Sequence, residues 1–238
     1  MSGHAYSAPA RPASARSIGA EPASPLGALV VAVACVAALA AVWTVAELIP
    51  AVHSRDAVTL YDFTTLSRPG VDSAAEFLLH LLDPALFVLW GIALVAVALA
   101  EERPRVAVAV ALVLALAPFS ADLLKPLLAH KHDHVGGAVI GAASWPSGHS
   151  TAATALAMSA VLVAPARLRR PVAALGALFV LAVGTALLVL AWHMPSDVLG
   201  GILLSTLWMA LAVAALRSSE RLRPSRPAAD TAYERPSS

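Results

Sequence analysis

A chain of 238 residues of which 59% are hydrophobic, with a mean hydropathy of +0.76, is too apolar for a soluble domain, where about half the residues are apolar. The formal net charge of +1 comes with no basic patch interleaved with aromatics, so no nucleic-acid partner is expected. The only cysteine, Cys35, sits inside an apolar run, which excludes a disulfide framework and a thiolate metal site.

Residues 1–25 are rich in Ala, Ser and Pro and carry Arg11 and Arg16. They read as a disordered cytoplasmic tail, because they hold too little apolar surface to fold alone. The apolar run at 26–49 is longer than a signal-peptide core and long enough to cross about 30 Å of hydrocarbon, so it is predicted as the first span. Residues 50–75 turn polar and read as a connection, followed by an amphipathic interfacial piece at 73–82 that Asp83-Pro84 separates from a second span at 84–100. After a charged turn comes a third span at 106–124, with Pro118 inside it, and then a polar loop at 125–145. A fourth span runs from the Pro146-Ser147 step to about 164, a fifth covers 171–192 and a sixth 198–216. The stretch 217–238 is predicted as a disordered basic tail.

The expected architecture is thus an all-α integral membrane protein, a six-transmembrane-helix bundle occupying 26–216. With both termini inside, 12 of the 16 Lys and Arg residues fall on inner segments and only Arg55, Arg68, Lys125 and Lys131 on outer ones. That imbalance matches the positive-inside rule. It also sends Lys125, His149, His193 and Asp197 to the same, outer ends of their spans.

The stretch Ser144-Trp145-Pro146-Ser147-Gly148-His149-Ser150-Thr151 stands where a helix begins after a loop. A helix start leaves backbone N–H groups free and suits an anion. Gly148 allows close approach, Ser147 and Ser150 add hydroxyls, and His149 titrates near neutral pH. The same residues also suit an ordinary capped helix with a membrane-edge histidine.

Lys125, then Pro146-Ser147-Gly148-His149, then His193 with Asp197 four residues on, in this order and on these helix ends, resemble the type 2 phosphatidic acid phosphatase family, membrane lipid phosphatases related to vanadium haloperoxidases. The resemblance covers about 77–216. It implies a phosphoric ester or pyrophosphate hydrolase that needs no metal and no other cofactor. His193 takes the phosphoryl group as a phosphohistidine, Asp197 orients its ring, and His149 protonates the leaving oxygen and later activates water. Lys125, Ser147 and Gly148 hold the phosphate oxygens. The implied substrate is a lipid phosphate or pyrophosphate: a polyprenyl pyrophosphate or phosphate, or phosphatidic acid. The expected place is a bacterial cell membrane with the site on the extracytoplasmic side, the source being suggested by high Ala, Arg and Pro usage. Oligomeric state is left open.

Two departures stand out. The family's Arg-Pro after the lysine is here His132-Asp133, and its Ser-Arg before the histidine is Ala186-Leu187. Both phosphate-clamping arginines are absent from their usual places, and a lost bidentate fork commonly costs a few kcal/mol. Lys131 and His132 are candidate phosphate ligands in place of the first, whereas span five offers no evident substitute for the second, its nearest polar residue being the uncharged Thr185. The run His130-Lys131-His132-Asp133-His134 suits a basic lid, a solvated loop or a zinc or copper site, although Lys131 repels a cation and the spacing matches no closed zinc motif. Trp43, Trp145 and Trp192 read as interface anchors. Two rival readings are a non-catalytic descendant that binds an anionic lipid or a partner protein, and a small transporter or metal-handling protein. Few ionisable residues lie within the spans, which weighs against the latter.

Overall fold

The computed structural model describes residues 24–129 and 140–221, and all the regular structure among them is helical. The helices are α1 (Pro25–Leu48), α2 (Pro50–Thr64), α3 (Pro69–His80), α4 (Pro84–Ala100), α5 (Pro104–Leu127), α6 (Gly148–Val163), α7 (Arg169–Val189) and α8 (Pro195–Arg221), with a short 3₁₀ turn at Ala166–Leu168. Proline opens α1 to α5 and also α8. Its fixed φ suits a first helical turn and its missing N–H is not needed there, so these prolines punctuate the chain.

Four helices are long and apolar enough to cross a membrane: α1, α5, α7 with its 3₁₀ turn, and α8. The pair α3 and α4, bent by 54° at the break between them, counts as a fifth if it is one span. The chain is therefore a multi-pass membrane protein. The fourth predicted span, α6, has 16 residues and is about 24 Å long, short of a full hydrocarbon core.

Helix α6 is nevertheless the centre of the bundle. It packs against α4, α5, α7 and α8, and every residue from Ser150 to Leu156 is buried. Apolar attraction between helices is weak in lipid, so close approach between small residues carries the packing. The tightest approach is at Gly201 of α8, where a Cβ would lie 2.6 Å from the Ser147 carbonyl oxygen. A side chain there would wedge α8 away from the start of α6.

The polar stretch predicted as a connection is a helix. In α2 the half-buried or buried positions Val52, His53, Asp56, Ala57, Leu60 and Phe63 form one face, and Leu60 is fully buried. Ser54, Arg55, Thr59 and Asp62 lie on the exposed face, and this polar content hid the helix from a reading by composition. Helix α8 also continues past 216 to Arg221. The predicted tail at 1–23, the histidine-rich run with Lys131 and His132, and residues 222–238 lie outside the described residues.

Candidate active site

The first turn of α6 is built by its own sequence. Ser147 is the N-cap, its hydroxyl accepting from the Ser150 N–H at 3.4 Å, while its own N–H donates to the Asp197 carbonyl at 3.0 Å. Ser150 Oγ donates to the Val198 carbonyl at 2.8 Å. These bonds tie the start of α6 to the start of α8 and leave the Gly148 and His149 amides with no partner among the described residues. Ser147 itself is not among the residues that line the pocket. It is fully buried and sets the helix end, whereas Gly148 and His149 face the pocket.

Helix α7 ends in a Schellman motif: Trp192 N–H donates to the Leu187 carbonyl at 2.9 Å and Ala191 N–H to the Leu188 carbonyl at 3.1 Å. The residue in the left-handed position is Ala191, with φ of 53°, where glycine is usual. This turn throws Trp192 and His193 back over the end of the bundle. His193 Nδ1 donates to Asp197 Oδ2 at 3.1 Å. The same oxygen accepts from the Met194 N–H at 2.9 Å. Asp197 is fully buried, and its Oδ1 has no hydrogen-bond partner among the described residues. The carboxylate therefore fixes the imidazole, leaving Nε2 as the ring nitrogen available to a substrate.

A pocket of about 740 Å³ collects these groups. Asp122, Lys125, Gly148, His149, Trp192 and His193 give it a polar end, and Leu82, Pro84, Phe87, Pro118 and Ala152 an apolar flank. Lys125, in the last turn of α5, is held by Asp122 at 2.8 Å and lies beside Gly148, whose Cβ, were there one, would be 3.4 Å from Nζ. The His149 ring meets Trp192 edge to face, with centroids 5.8 Å apart. Lys125, Gly148, His149 and His193 thus line one pocket, and Asp197 stands behind it.

The structure also shows what fills the place of the second family arginine. Leu187 is fully buried in the apolar core, so α7 sends no cation toward the pocket there. Thr185 is exposed and does not line the pocket. Lys125 is the sole Lys or Arg among the described lining residues. Trp145, expected at the interface, is instead buried, with its indole against Gly200. Trp192 remains about half exposed beside the site.

Asp56 on α2 was not among the predicted site residues. Its Oδ2 accepts from Ser196 Oγ at 2.6 Å and from the Ser196 N–H at 3.4 Å, next to Asp197. Burial pushes its carboxyl above the ordinary aspartate range, and the bonds from Ser196 pull it the other way. Its place on the buried face of α2, at i+4 from Val52 and i−4 from Leu60, is the one signal that sequence reading had for it.

A bundle of helices that cross a bilayer, closed around a pocket holding two histidines, a buried aspartate and a lysine, is the setting for phosphoryl chemistry at a membrane. A family model described as the PAP2 superfamily matches residues 31–221, and the chain belongs to that superfamily; it is a membrane phosphatase, a phosphoric ester hydrolase. Among solved structures it is similar to the transmembrane PAP2 type phosphatidylglycerolphosphate phosphatase from Bacillus subtilis, with a TM-score of 0.65 and 18% sequence identity over 82% of this chain and 98% of that one. At that identity the likeness is one of fold. No curated protein matches the chain in sequence.

Proposed function

We propose that the protein hydrolyses a lipid phosphate or pyrophosphate through a phosphohistidine on His193, without a metal, at the extracytoplasmic face. The observation that carries this reading is the pocket itself, with phosphate-binding groups at one end and an apolar flank at the other. Such a pocket suits a phosphate headgroup with its lipid chain lying alongside.

In this reading Lys125 and the amides of Gly148 and His149 hold the phosphate oxygens, where negative charge spreads in the transition state. His193 Nε2 attacks phosphorus as the bond to the lipid oxygen breaks. His149 gives its proton to that leaving oxygen, and Asp197 stabilises the imidazolium formed. His149 then takes a proton from water, whose oxygen attacks phosphorus as the P–N bond breaks, releasing inorganic phosphate and free His193. Lys131 and His132 are further candidate phosphate ligands.

Six spans with both termini inside is the topology that goes with this site, α6 being the short central span. The spread of Lys and Arg supports it: Arg103 and Arg169 bind the far end of α6, opposite the pocket. The buried Leu187 favours one alternative, a catalytically weak or inactive member that keeps lipid binding.

The deciding experiment is phosphate release by purified protein from polyprenyl pyrophosphates and phosphatidic acid, with and without chelator, for wild type and His193→Ala. Metal-independent release that vanishes in the variant is the expected result. No release from any substrate by folded protein across about pH 5 to 8 would leave the lipid-binding alternative.

A further inference from the structure

Four apolar grooves run along the outer faces of the bundle, and only one of them has a charged side chain in its lining among the described residues. The grooves between α6, α7 and α8, between the α3–α4 break, α4, α6 and α7, and between α4 and α5 are lined without any Asp, Glu, Lys or Arg among the described residues. The fourth, of about 570 Å³, lies between α5 and α8, with Leu112, Leu116, Trp208 and Ala212 along it and Arg105 and Ser219 at one end.

Arg105 differs from its neighbours in what its donors do. Arg103 is spent on the Val163 and Leu162 carbonyls at 2.9 and 3.2 Å, and Arg169 Nε on the Ala164 carbonyl at 3.2 Å. Among the described residues Arg105 makes one long bond, to the Ser219 carbonyl at 3.4 Å, and it is exposed. Most of its guanidinium fork is therefore open, in the geometry that grips a phosphate on two oxygens. From Arg105 to Leu116 the groove extends about 16 Å along α5, close to half of a hydrocarbon core of about 30 Å. An acyl chain lying in it from Leu116 outward has its headgroup at Arg105.

We propose that the groove between α5 and α8 is a binding site for an anionic phospholipid of the bilayer, its phosphate on Arg105 and one acyl chain along Leu112, Leu116 and Ala212. The site is at the end of the bundle away from the pocket of Lys125 and His193, and it is independent of the catalytic reading. Charge complementarity selects the occupant: the one groove with a cation at the headgroup level favours a lipid with net negative charge over a zwitterionic one.

The test is native mass spectrometry of full-length protein released from nanodiscs of phosphatidylcholine and phosphatidylglycerol at a 4:1 ratio. Wild type should retain phosphatidylglycerol above its share of the bilayer. Arg105→Gln should cut that retention about tenfold, the usual worth of a charge-assisted contact, and Ala212→Trp, which fills the groove, should cut it as well. Arg170→Gln, an exposed arginine outside the groove, should leave it unchanged. Equal retention of both lipids by wild type, or loss in Arg170→Gln with none in Arg105→Gln, would overturn the proposal.

Discussion

The two ends of α6 are treated in opposite ways. At its C-terminal end the carbonyls of Leu162, Val163 and Ala164 are each taken by an arginine side chain, which satisfies them and neutralises the negative pole of the helix. At its N-terminal end the Gly148 and His149 amides face a pocket, with Lys125 nearby and two histidines at hand. One end is closed with the chain's own cations. The other leaves its positive pole for a phosphate. The chain thus uses arginine where the fold needs a cap and dispenses with it where the family uses it as a clamp, a division that Leu187, buried in the core, makes plain.

Variants at the open end should cost activity and little stability, and variants at the closed end the reverse. The largest effect belongs to His193→Ala, which removes the attacking nitrogen and should lower phosphate release by about a thousandfold or more. Asp197→Asn keeps the shape but offers Nδ1 a poorer partner; a fall in kcat of about a hundredfold or more, at similar KM, is expected in steady-state kinetics. Lys125→Gln should lower kcat/KM about ten- to a hundredfold. A near-normal Lys125→Gln enzyme would mean that other groups hold the phosphate.

At the closed end, Arg103→Ala removes two side-chain bonds to α6 carbonyls from a partly exposed site. It should cost about 1–2 kcal/mol, read as a lower midpoint of thermal unfolding in detergent, while the turnover of folded enzyme is kept. If turnover falls as far as stability, the two ends are coupled and the contrast between them fails. The smallest effect tests the Schellman turn that delivers His193. Ala191→Gly relieves a left-handed alanine and should raise stability by about 0.5–1 kcal/mol in the same melt. No gain would mean that the Ala191 backbone is held without strain.

Much of the site was legible because its residues come as short strings at helix ends. Pro146-Ser147-Gly148-His149 mark a helix start by their own propensities, and His193 with Asp197 at i+4 is a spacing that a helix start can close into a hydrogen bond. Other features depended on partners distant in the sequence. Ser147 is tied to α8 by its N–H on the Asp197 carbonyl, while its hydroxyl caps α6 by accepting from the Ser150 N–H. Trp145 looks like an interface anchor until Gly200 makes room for it inside the bundle. Asp56 gains its place only when α2 folds against α8 and meets Ser196.

The sequence alone determined that this is a helical membrane protein, because hydropathy and proline placement act through local backbone and transfer energies, and it singled out Lys125, His149, His193 and Asp197, four of the ionisable groups set around the pocket. The tertiary structure alone decided that α6 is a short central helix, that α2 exists and supports α8, and that α7 contributes a leucine where a cation is usual. Those outcomes follow from packing between helices far apart in the chain, where small residues at Gly201 and Gly200 fix how closely the elements meet, and no local pattern reports such distances.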